Sequence, residues 1–165
     1  MALRHWPLGI AILVGCRAAA PASTALTPAH RAAITDSVTA ALEQFRSAFS
    51  ARDFAGALRY YSDDPGFRWV EDGEVRYGSK RAVATALHAF APSVRSIELA
   101  YFDPVVTPLA PGVAGIVTRF VQKFTDSTGT TRGFAGAMTM TMVHADSGWR
   151  FLTGHTSSLV PPARK

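Results

Sequence analysis

Two hydrophobic periods divide this chain. In its first half apolar residues return every three or four positions. Ile34, Val38, Leu42, Phe45 and Phe49 form one such stripe, which predicts a long amphipathic helix with Thr27 as its cap and Pro28 as its first residue. Asp53 caps a shorter helix that buries Phe54, Ala57, Leu58 and Tyr61, and Asp63-Asp64-Pro65-Gly66 ends it. Phe67–Glu71 and Glu74–Tyr77 flank Asp72-Gly73, a pair suited to a tight hairpin. Gly78 and Ser79 then open a third helix, with Val83, Ala86, Leu87 and Phe90 on one side and Pro92 beyond its end.

In the second half the period shortens to two, the signature of strands. Ile97, Leu99, Tyr101 and Asp103 share a face until Pro104 interrupts; Gly115–Phe124 follows, with Arg119 and Lys123 beside Val117 and Val121. Phe134–His144 and Gly148–Ser158 make a hairpin whose three-residue loop, Asp146 to Gly148, puts Gly148 in the left-handed region. That loop pairs Ala145 with Trp149, Thr141 with Thr153 and Thr139 with His155. One face then carries Thr139, Thr141, Phe151, Thr153 and His155; the other carries Met138, Met140, Met142 and Leu152. Both faces are apolar enough that the hairpin should lie in the middle of a sheet. Helices first and antiparallel strands after give an α+β domain.

Length allows one domain: 165 residues, 48% hydrophobic and 18% charged. The net charge of +5 is scattered, and no basic stripe alternates with aromatics, so nucleic acid is not an expected partner. The first residues lie outside the domain. Arg4, an apolar run and small residues make residues 1–15 an export signal too short to span a bilayer. Leu13-Val14-Gly15-Cys16 resembles the bacterial lipoprotein box, which implies lipidation of Cys16 and a membrane lipoprotein on the periplasmic or surface side, tethered by residues 16–27. The alternative is cleavage after Ala22, in Ala20-Pro21-Ala22, which would release a soluble secreted protein. With Cys16 as the sole cysteine, no internal disulfide can form.

The order of elements carries a further likeness. Asp53-Phe54 with Tyr60-Tyr61, Phe67-Arg68-Trp69 before Asp72-Gly73, Gly78 before the third helix, and Gly148-Trp149-Arg150 leading into His155-Thr156-Ser157 resemble the nuclear transport factor 2-like superfamily. Within it the SnoaL-like (polyketide cyclase-like) and calcium/calmodulin kinase association-type domains are nearest, over residues 28–160. The resemblance implies a cone: a curved antiparallel sheet wrapped around three helices, a pocket at the wide end, and a homodimer formed through the outer sheet face. Superfamily enzymes use an Asp base, often with a His or Tyr partner; here Asp103 with His155 or Tyr101 would fill that role.

Residues suited to line such a pocket are Tyr60, Trp69, Tyr101, Asp103, Arg119, Thr139, Thr141, Thr153 and His155, a few polar groups in an apolar wall. Each also has a plainer reading. His155 ends a core strand, Asp103 sits at an Asp-Pro bend, Arg119 suits a surface, Trp69 and Tyr101 suit a core, and the methionines suit packing or a dimer face. The five histidines show no metal-ligand spacing, and there is no nucleophile elbow or phosphate loop, so no metal or cofactor is expected. Two functions remain. One is an exported, lipid-anchored domain that binds a small apolar molecule with one or two oxygens, or a partner. The other is a cofactor-independent isomerase, cyclase or dehydratase using Asp103 and His155.

Overall fold

The structure, a computed structural model, describes residues 25–159, so the expected export signal, Cys16 and the alternative cleavage position after Ala22 lie outside the described residues. Helices α1 (Pro28–Ser50) and α2 (Phe54–Leu58) come first, then strands β1 (Arg68–Glu71) and β2 (Glu74–Tyr77) and helix α3 (Lys80–Phe90). Strands β3 (Val94–Ala110), β4 (Val113–Asp126), β5 (Thr131–Ala145) and β6 (Gly148–Ser158) follow.

Side chains start each helix where the sequence places a cap. Thr27 Oγ1 accepts from the His30 amide at 3.2 Å, Asp53 Oδ1 from Gly56 at 2.8 Å, and Ser79 Oγ from Ala82 at 3.2 Å. Each cap satisfies an amide the helix leaves open, a contribution of about 1 kcal/mol. At the β1–β2 turn Asp72 and Gly73 both take positive φ, 49° and 91°, as a tight hairpin turn matched to strand twist demands.

The six strands form one sheet in the order β2-β1-β6-β5-β4-β3, so the β5–β6 hairpin is central as expected, although its threonine face is open to solvent. The sheet is mixed rather than purely antiparallel, because β1 runs parallel to β6. The cause lies just upstream. The chain after α2 already tracks β6 in that direction, with Phe151 N donating to Tyr60 O at 2.7 Å and Ser62 N to Phe151 O at 3.0 Å. It then continues into β1, where Arg68 meets Thr153.

Two expected breaks behave differently. Strand β3 does not stop at Pro104; it runs on through Pro108 with a register shift between Phe102 and Val105, where Asp103 adopts φ 51°. Proline is tolerated there because β3 is an edge strand. In the β5–β6 hairpin Thr139 pairs with His155 and Thr141 with Thr153 as expected, but Met142 pairs with Phe151, His144 with Trp149 and Ala145 with Gly148. Leu152 is the extra residue of a bulge, and the strand changes face across it. Phe151 therefore joins the methionines instead of the threonines.

The methionine face is the inner one. Met138, Met140 and Met142 pack with Ile116 and Phe120 of β4 and with Val38, Leu42 and Phe45 of α1 in a single core. Edge-to-face aromatic contacts fill its centre: Phe45 to Phe151 at 5.0 Å between ring centroids, Tyr61 to Phe151 at 5.7 Å, Tyr61 to Trp69 at 5.7 Å and Trp69 to Phe151 at 5.8 Å. Trp69 lies directly over Gly154, where a β-carbon would fall 2.2 Å from the ring. The missing side chain is what lets the indole seat.

Candidate functional site

The residues singled out from sequence separate onto two faces. Arg119, Thr139, Thr141, Thr153 and His155 point away from the helices on the outer face, and Asp103 joins them there. Asp103 leaves the inner face because its left-handed backbone takes up the irregularity before Pro104. Its Oδ2 lies 2.6 Å from Arg119 Nη2, and with side chains 84% and 71% exposed this is a surface ion pair of small energetic weight. His155 is exposed and has Ser157 Oγ, at 3.4 Å, as its side-chain neighbour. Strands β4 and β5 separate Asp103 from His155, roughly 14 Å at three strand spacings. The Asp103–His155 catalytic pair and the polar floor of threonines are therefore both corrected: none of these side chains enters the cone.

Three of the named residues do face inward. Trp69 is part of the aromatic core. Tyr60 packs edge-on against Phe45 and donates its hydroxyl to Gln44 Oε1 at 2.9 Å. Tyr101, continuing the inner face of Ile97 and Leu99, reaches under α1.

At Tyr101 the seam between α1 and β3 opens into a cavity of about 230 Å³, walled by Leu42, Glu43, Arg46, Ala100, Tyr101 and Pro104. The Tyr101 hydroxyl is buried with no hydrogen-bond partner among the described residues. Burial holds its pKa far above the ordinary phenol value, so the group stays a neutral donor and acceptor. At the rim Arg46 pairs with Glu43 through both carboxylate oxygens, Nε donating to Oε2 at 2.7 Å, and reaches Leu99 O at 3.4 Å. That hydrogen bonding holds Glu43 below the usual carboxylate range and raises Arg46. Sequence reasoning missed Glu43 and Arg46. The available signal was their spacing of three on α1, one turn apart on the flank of Leu42. Among the described residues no three His, Cys, Asp or Glu side chains gather closely enough to hold a metal ion.

A model of the SnoaL-like domain matches residues 38–161. The chain belongs to the SnoaL-like family. Solved structures agree with that assignment at the level of fold. The SnoaL-like domain resembles a nuclear transport factor 2-like superfamily protein from Salmonella enterica with a TM-score of 0.69 at 11% identity, over 80% of this chain and 95% of that one. A provisionally assigned scytalone dehydratase from Novosphingobium aromaticivorans superposes with a TM-score of 0.72 at 9% identity, over 81% and 96% of the two chains. A ketosteroid isomerase-like protein from Erwinia carotovora gives 0.61 at 18% identity, over 76% and 96%. Identities this low speak to the cone-shaped α+β fold alone. A search of curated protein sequences found no significant match.

Proposed function

We propose that this SnoaL-like domain binds a small, largely apolar molecule bearing one or two oxygens, in the cavity between α1 and β3. The observation that carries the reading is the Tyr101 hydroxyl, buried without a partner behind a cavity wall. A buried polar group left unsatisfied costs about 1–3 kcal/mol, which a ligand oxygen would recover by displacing the wall that now seals the hydroxyl from the cavity. Leu42, Ala100 and Pro104 suit an apolar body, and Arg46 at the rim suits a polar end.

Binding is favoured over catalysis by the state of Glu43. It is the carboxylate at this cavity, and Arg46 holds it ionised and engaged, which makes it a poor proton acceptor near neutral pH. The neighbours named for isomerase and dehydratase activity therefore lend their fold to this reading and not their reaction. The export signal with lipidated Cys16 would place the domain outside the cytoplasm on a membrane anchor. A homodimer through the outer sheet face would leave the cavity free, since α1 lies on the opposite side of the sheet.

Tyr101→Phe tests the binding reading. The variant should unfold at higher temperature than the wild type when ligand-free, because the unsatisfied hydroxyl is gone. It should also lose any small molecule that native mass spectrometry detects with the wild-type protein. Equal stability together with undiminished ligand retention would remove Tyr101 from the site.

A further inference from the structure

On its opposite flank α1 borders a larger groove, which the ligand-binding reading above does not use. About 780 Å³ in volume, it runs between α1, the segment after α2 and the β5–β6 turn. This is the size of a small-molecule site. Three cations line it: Arg59, Lys80 and Arg150. Lys80 is neutralised by Asp63 at 2.8 Å, but neither Arg59 nor Arg150 has a carboxylate partner among the described residues.

The two arginines are held in place by neutral groups. Arg150 donates through Nη1 to its neighbour's carbonyl, Trp149 O, at 2.8 Å, and through Nη2 to Ser147 O at 3.1 Å and Ser147 Oγ at 2.6 Å. These bonds fix the guanidinium against the β5–β6 turn without cancelling its charge. Arg59 reaches Gly56 O through Nε at 3.4 Å, and its terminal nitrogens bond no protein group among the described residues. A guanidinium positioned by carbonyls is a donor fork kept ready for an anion. Half-buried Tyr60 and the edge of the buried Trp149 add aromatic lining, and Trp149 is itself pinned, its Nε1 donating to Ser37 Oγ at 3.0 Å. Gln44, whose Oε1 already accepts from Tyr60, borders the groove as well.

We infer that this groove is a second binding site, for a small organic anion whose carboxylate or phosphate meets Arg59 and Arg150 while a flat apolar body rests against Tyr60 and Trp149. The concave shape and the arginine–aromatic arrangement suit a compact ligand rather than a polymer, since the basic residues do not continue as a stripe beyond the groove.

The test is calorimetric titration of the full chain with two probes, phenyl phosphate and benzoate, at low salt. Saturable one-site binding of either is expected, the preferred probe telling phosphate from carboxylate. Arg59→Gln and Arg150→Gln should each weaken it by about 10-fold or more, the worth of a charged hydrogen bond. Arg119→Gln, on the outer face, and Tyr101→Phe, in the other cavity, should leave it unchanged. Arg59→Gln keeps the test decisive if Arg150→Gln disturbs the β5–β6 turn, which a thermal melt reveals. Three results overturn the inference: no saturable binding of either probe, equal weakening by Arg119→Gln, or loss on Tyr101→Phe with retention in Arg59→Gln.

Discussion

Gly154→Ala is the sharpest test of how the sheet packs. In the native register Trp69 of β1 pairs with Gly154 of β6, and the indole covers the glycine. A β-carbon at 154 would lie 2.2 Å from Cζ3, 2.3 Å from Cε3 and 2.7 Å from Cη2 of that ring. Carbon atoms rest about 3.5–4.0 Å apart, so the ring must retreat by about 1.3 Å or more. Its path is closed by Tyr61 and Phe151, whose ring centroids stand 5.7 and 5.8 Å from it. Forced overpacking costs about 1–3 kcal/mol, and a closed retreat belongs at the upper end. Alanine regains about 0.5–1 kcal/mol over glycine through backbone entropy. The net loss is about 2 kcal/mol, or roughly 4–8 °C in melting temperature for a chain of this size. Urea unfolding followed by far-ultraviolet circular dichroism measures it. In a Trp69→Leu background the same alanine should become neutral or mildly stabilising, a coupling of about 2 kcal/mol in the double-mutant cycle. A Gly154→Ala protein within about 0.5 kcal/mol of wild type, or an equal loss in both backgrounds, would refute the close approach.

Three further outcomes are expected. Burial holds the Glu71 carboxyl above its usual range despite Arg76 at 3.7 Å, so the folded state binds this proton more tightly than the unfolded chain. Stability from this group is therefore lost as pH rises through the carboxylate range, and Glu71→Gln should raise the melting temperature at pH 7 with its advantage vanishing below about pH 4, as a melt series across pH shows. On the outer face Phe102, Val105, Leu109 and Val117 are exposed large apolar side chains; light scattering should give a dimer mass for the wild type and a monomer mass for Val117→Lys, and a monomeric wild type at high concentration defeats the dimer. If Cys16 carries lipid, the protein should partition with membranes and Cys16→Ser should stay unprocessed, whereas a soluble wild-type product beginning at Ser23 means plain secretion.

Local chemistry made the helices and the short hairpin legible. Thr27-Pro28, Asp53 and Ser79 each announce a cap, and Asp72-Gly73 announces a turn, because these residues act within three or four positions of themselves. The pairing of Thr139 with His155 came out as expected only because two departures cancel: Ala145 meets Gly148 instead of Trp149, a loop one residue shorter, and the bulge at Leu152 restores the count. Which face turns inward was not legible. Alternation says that Thr139 and Met140 point opposite ways, and only the packing of α1 decides that the methionines go under the helix. Phe151 and His155 share a parity in sequence, yet the single extra residue Leu152 sends them to opposite sides. Asp103 was lost to a comparable local event, a left-handed residue before proline, which no periodic pattern encodes. Glu43 and Arg46 were overlooked because an ion pair on a helix flank resembles ordinary surface, and only the packing of β3 beside α1 puts it at a cavity rim.

The position of β6 has a bearing on how the protein is made. This strand follows all the others among the described residues, yet it lies in the interior of the sheet, with β1 on one side and β5 on the other. Nothing that precedes it can close the sheet: without Gly148–Ser158 the β1–β2 hairpin has no strand to dock on, and the aromatic core lacks Phe151. Native structure must therefore wait for β6 to leave the ribosome, and the sheet stays open until then. The same order makes β6 unforgiving, since a truncation that enters it removes the strand on which both halves of the sheet meet.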